Sequence, residues 1–220
     1  MTHPRCGPTV RPSGTKAFLV SLSLALTAAA SRPAVAGAPP PAPPKAPPAA
    51  TAPSTDEEIL RYLSLSRPGP EHRWLDPLVG SWTVELRWPG VGQTEAHASG
   101  TSENRWILDG RFLLCESTAG DGPSRLGGTT IYGFDSREKK YFALGLNNLA
   151  TYYLQPSGSY DPVTRSFLLS GKERDEATGG SFVYRELLKI DGDDRHVLKV
   201  YLDVLGRPPV KVLEAVFTRR

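Results

Sequence analysis

From residue 70 onward the chain is a succession of short apolar or alternating runs cut by turn residues. Ser81–Trp88 runs to Pro89-Gly90, Glu95–Leu108 to Asp109-Gly110, and Arg111–Thr118 to Gly120-Asp121-Gly122-Pro123. Gly127–Phe134 ends at Asp135-Ser136, Lys140–Leu146 at Asn147-Asn148, and Thr151–Gln155 at Pro156-Ser157-Gly158. Arg165–Gly171, Phe182–Ile190, His196–Leu205 and Val210–Arg219 complete the series. Alternation is plain in the later runs, where Phe182, Tyr184, Leu188 and Ile190 share one face, as do His196, Leu198, Val200, Leu202 and Val204. About ten strands at this spacing, with no long helix between them, predict an all-β, antiparallel barrel or sandwich. Closure into a barrel removes the sheet edges that an isolated domain otherwise has to protect. Asp109-Gly110 is the strongest hairpin signal in the chain.

Two short helices are expected ahead of the strands. In Asp56–Leu63, acids occupy the first turn and Ile59, Leu60 and Leu63 recur at helical spacing, so this helix should pack against the domain. Glu71–Val79 reads as one or two turns, with Pro70 suited to the first position and Pro77 breaking the helix. Large apolar groups such as Val197, Tyr201, Leu213 and Phe217 lie on faces opposite other apolar sets. The outside of the barrel is therefore expected to cover the N-terminal helices or a second copy of the chain, as in a homodimer.

Upstream of residue 56 the pattern is that of an address and a tether. Arg5, Arg11 and Lys16 precede the apolar run Ala17–Leu26, and Ala34-Val35-Ala36 offers a cleavage site. Residues 1–36 thus read as a secretory signal peptide, too short for a transmembrane anchor. Export to the periplasm or the medium, with cleavage near Ala36, is the expectation, and no integral membrane segment is expected to remain. Of residues 33–53, 17 are Pro or Ala. The stretch 37–55 is therefore expected to form a polyproline-like linker with nothing to bury. A helix and connector follow over 56–69, and the barrel domain over 70–220.

Cleavage changes the charge. The mature chain would hold 22 basic and 23 acidic residues, a net charge of −1 in place of +3. That balance gives no basic footprint for nucleic acid. Cys115 would be the only remaining cysteine, so no internal disulfide is expected. No motif for a nucleophilic elbow, a phosphate loop or a zinc protease occurs, and the sequence implies no catalytic residue, metal or cofactor. Asp191-Gly192-Asp193-Asp194 begins like a calcium loop, but its twelfth position is Leu202 and not a bidentate acid, which leaves a hairpin turn. Cys115 reads as a buried, inert thiol.

Gly80-Ser81-Trp82 at the first strand and Arg219 on the last suggest how the barrel closes. The glycine permits a tight passage from helix to strand, the indole plugs the floor, and the guanidinium stacks on it. Residues 70–219 resemble an uncharacterised bacterial family, a domain of unknown function with a lipocalin-like (calycin) barrel. The resemblance is carried by Trp74–Trp82, Gly110-Arg111-Phe112-Leu113, Gly127-Gly128, Tyr132-Gly133-Phe134-Asp135 and Phe217-Thr218-Arg219. It implies an antiparallel lipocalin-like barrel of about ten strands and no established activity.

Within such a barrel, aromatic groups with polar tips suit a small-molecule site. Arg111, Phe112, Tyr132, Tyr153, Tyr184 and Tyr201 are candidates to line one. Glu186 and Glu214 each interrupt an apolar face, and a carboxylate inside the barrel would need a partner, for which Arg111 or Arg105 is available. The same residues equally suit a solid core. Three functions stay open: a binder of a small apolar or amphipathic ligand such as a fatty acid or isoprenoid, an interaction module with a filled barrel, and an enzyme of unknown class.

Overall fold

The computed structural model describes residues 55–90, 94–175, 179–203 and 208–220. The expected signal peptide and all but the last residue of the expected linker lie outside the described residues. Helix α1 spans Thr55–Leu65, and a 3₁₀ segment spans Pro70–Leu78. Ten strands follow: β1 (Gly80–Pro89), β2 (Glu95–Ile107), β3 (Phe112–Ala119), β4 (Leu126–Asp135), β5 (Lys140–Asn147), β6 (Ser157–Asp161), β7 (Ser166–Arg174), β8 (Ser181–Ile190), β9 (Arg195–Asp203) and β10 (Val210–Arg219). Each pairs antiparallel with the next, and β10 closes on β1. The barrel predicted from the alternation is therefore the fold, and no sheet edge is left open.

One expected strand is placed differently. Thr151–Gln155 forms no strand, only a bridge between Leu154 and Gly145. The strand is Ser157–Asp161, whose first residues had the composition of a turn. Gly158 is needed there for close approach: a Cβ at this position would stand 1.9 Å from the Leu168 carbonyl oxygen of the neighbouring strand. Pro156 is buried, and its carbonyl accepts from the Ala143 N–H at 3.0 Å.

The helix α1 also departs from expectation. It buries none of its residues, and Ile59, Leu60, Tyr62 and Leu63 are all exposed. The chain is tied back to the barrel just after it, where Arg111 Nε donates to the Ser66 carbonyl at 3.0 Å.

The 3₁₀ segment closes one end. Leu75 and Leu78 point into the barrel and are buried in a core with Leu113, Phe134, Tyr141, Phe167, Leu188 and Ile190. Strand side chains then satisfy the carbonyls of this short helix, which a helix end otherwise leaves unpaired. Trp82 Nε1 and Asn104 Nδ2 both donate to the Leu78 carbonyl, at 3.0 and 2.8 Å. Tyr141 Oη donates to the Glu71 carbonyl, and Trp106 Nε1 to the Asp76 carboxylate.

Arg219 completes the floor. Its guanidinium lies 4.2 Å from the centre of the Trp82 ring. It also donates to the carbonyls of Val79, Pro77 and Asp193. The last of these lies in the Asp191–Asp194 turn, which therefore serves as a hairpin that holds the arginine. Gly80 has φ +127°, and a Cβ there would stand 2.5 Å from an Arg219 nitrogen. The residue is thus required both for its backbone conformation and for its lack of bulk. His196 is wedged between Trp82 and Phe217, with ring centres 4.3 Å from each. Burial, reinforced by the Arg219 charge, lowers its pKa to about 3, so it remains a neutral packing group.

Candidate functional site

The two ends of the barrel differ in the size of their inward side chains. Near the floor the lining is large, and Trp82, Leu113, Phe167 and Leu188 are buried. Towards the opposite end the lining on β2–β5 includes the small residues Ala98, Gly100, Ser117, Gly128, Thr130 and Gly145, with Leu126 and Asn147 at the rim. Cross-strand pairing puts these on the inner face, because Ser102, Cys115 and Ala119 beside them are buried. All six nevertheless keep partial exposure. Across from them stand Leu86, Val200, Leu202 and Leu213, also inward and also partly exposed.

Strand β8 supplies the polar chemistry of this half. Tyr184 is buried, and its ring lies across Gly171 of β7, where a Cβ would fall 2.5 Å from the ring. Its hydroxyl is buried without a hydrogen bond of ordinary geometry. Two residues deeper, Glu186 faces inward between Leu169 and Val200. Burial pushes the Glu186 carboxyl up from 4.5 to about 7. Tyr132, from β4, is buried close enough for the Glu186 charge to add to the effect of burial in raising its pKa. Tyr184 is raised as well, by burial first and then by Glu186 and Glu173. Cys115 also faces this interior, and burial holds its thiol at about 12, well away from the thiolate a nucleophile needs. Among the described residues no three His, Cys, Asp or Glu side chains gather as a metal site requires.

The model of a family of proteins of unknown function, DUF1579, matches residues 67–219. The chain belongs to the DUF1579 family. No curated protein matches the sequence. Among solved structures, the DUF1579 barrel is similar to that of Rv2717c from M. tuberculosis. The two are 16% identical with a TM-score of 0.51, covering 70% of this chain and 99% of that one. A further match is the S-type phycobiliprotein lyase CPES from Guillardia theta, 11% identical with a TM-score of 0.46, covering 70% of this chain and 94% of that one. At these identities the likeness to Rv2717c is one of fold, a calycin-like barrel.

Of the residues singled out in the sequence, the DUF1579 barrel brings Tyr132, Tyr184 and Glu186 together inside. The other five lie elsewhere. Arg111 sits at the β2–β3 turn by the closed end, bonded to the carbonyls of Ser66 and Leu108. Phe112 is on the outer face, where its ring meets Phe142 over Gly133. Tyr153 is exposed on the β5–β6 connection. Tyr201 is paired with Arg185 and Lys211 on the outer face. Glu214 is also outside, where it binds Lys211 at 2.6 Å and Lys199 at 3.8 Å. Neither arginine considered as a partner for the inner carboxylate serves as one, since Arg105 pairs with Glu116 on the exterior. Glu173 was missed. Its alternation with Phe167, Leu169 and Gly171 along β7 was the available signal, and it places Glu173 on the same inner face near the mouth.

Proposed function

We propose that this DUF1579 domain binds a small amphipathic ligand in the upper half of its barrel. The apolar body would lie among Leu86, Val200, Leu202 and Leu213, and the polar end would reach Glu186. The observation that carries this reading is Glu186 itself, an inward carboxyl with no basic partner among the described residues, next to a lining that includes small side chains. Burying an ionisable group without a partner costs several kcal/mol. A barrel built only to be solid would place Leu or Val at position 186, as it does at the neighbouring positions 188 and 200. A binding site gains something for the cost, because a ligand can supply the missing partner. Ala98, Ser117 and Thr130 on β2–β4 would take up little of the space a ligand needs, and its burial would supply the driving force.

Native mass spectrometry of the full chain purified from cells tests the proposal. The expected result is a population heavier than the polypeptide by one small molecule, which is released on denaturation. A bare polypeptide mass in every preparation would count against it.

A further inference from the structure

The inner and outer faces of this barrel differ in the charges they carry. The outer face of β7–β10 carries both signs, with Lys172, Arg185, Lys189, Lys199 and Lys211 beside Asp203 and Glu214. On the inner face of the same strands the charged groups above the floor are Glu173 and Glu186. The remaining inward positions of the described strands hold apolar residues, glycine, Ser, Thr, Asn, Tyr, Cys and His. Arg219 is the one inward cation among them, and it is occupied at the opposite end by Trp82 and three carbonyls.

Resting on the ligand-binding reading above, we infer that the head group held in this barrel is cationic: the site takes an amphipathic amine and rejects carboxylates of the same length. Glu186 lies at depth and Glu173 nearer the mouth, with the Tyr184 ring between them over Gly171. An ammonium group between these residues would donate to the Glu186 carboxylate. A further N–H would go to the Tyr184 hydroxyl, which is buried beside the Gln155 backbone and keeps a lone pair to accept with. The aromatic faces of Tyr184 and Tyr132 add a cation–π contribution in a partly desolvated site. A fatty acid would place a second negative charge against Glu186, with no arginine or lysine beside it among the inward residues of the described strands. In surroundings less polar than water that repulsion is large.

The inner groups facing Glu186 are Glu173 from β7, Tyr184 on β8 itself, Tyr132 from β4 and Cys115 from β3, and all of them are neutral or acidic at neutral pH. The preference for an amine should therefore strengthen from pH 5 to pH 8, as Glu186 loses its proton while the amine keeps its own.

The test is calorimetric titration of the full chain with decylamine, decanoate and decanol at pH 8, below their aggregation limits, repeated with Glu186→Gln. Decylamine is expected to bind at least about tenfold more tightly than decanoate, and Glu186→Gln should erase most of that ratio. Decanoate binding as tightly as decylamine, or an undiminished ratio in Glu186→Gln, overturns the inference and leaves the ligand-binding reading intact. Failure of all three to bind overturns both.

Discussion

Trp82→Ala should cost the barrel about 3–5 kcal/mol, because it leaves a large cavity in the buried floor. The indole is only 1% exposed. Its loss also removes the surface on which Arg219 rests and one of the two donors to the Leu78 carbonyl. His196, which touches the same ring edge-on, would keep its stacking on Phe217 and lose its contact with the indole. For a chain of this size the melting temperature should fall by about 10 °C or more. Trp82→Phe should cost markedly less, since it keeps a ring at the floor. Urea unfolding of both variants checks this. An alanine variant as stable as the parent would mean that the floor is not where the barrel is held together.

The second large effect concerns pH. The Glu186 carboxyl titrates near 7 in the folded protein and near 4.5 in an ordinary setting. Between those values the folded state holds a proton that the unfolded state releases. A group raised in this way contributes its stability fully below pH 4.5 and loses it as the pH rises through 7. By pH 8 the difference amounts to roughly 3 kcal/mol. Glu186→Gln keeps the shape and cannot ionise. It should leave stability nearly unchanged at pH 4 and raise it by up to roughly 3 kcal/mol at pH 8. Glu173, Tyr132, Tyr184 and Cys115 remain in place in the variant, so any residual slope belongs to other groups. Equilibrium unfolding at the two pH values decides it, and equal effects at both would refute the assignment.

The floor of the barrel was legible because its chemistry is local: a glycine, an indole and an arginine whose roles follow from their shapes. The inner face of β8 was legible as well, since Phe182, Tyr184, Leu188 and Ile190 fall at alternate positions that only Glu186 interrupts. Glu214 was misplaced for a definite reason. A bulge between Lys211 and Leu213 shifts the parity of β10, so that Leu213, Ala215 and Phe217 turn inward and Glu214 turns out. Phe112 and Tyr201 were chosen for being aromatic, and pairing alone reveals that they face outward. The β6 strand was missed because Pro156-Ser157-Gly158 has the composition of a turn, whereas Gly158 is there to let two backbones meet. The small lining of β2–β5 carries no motif at all. It becomes a feature only when the register places Ala98, Ser117, Thr130 and Gly145 around one space.

That space is the centre of the account, and filling it is the most direct test. Thr130 faces inward beside Cys115 and Gly145, partly exposed. Fluorescence titration with an environment-sensitive apolar probe should show saturable binding of one probe per chain for the parent. Thr130→Trp, and independently Ala98→Trp, should abolish or weaken that binding by at least about tenfold while the folded spectrum is retained. Undiminished binding in both folded variants, or no saturable binding by the parent, would contradict a ligand site in the upper barrel.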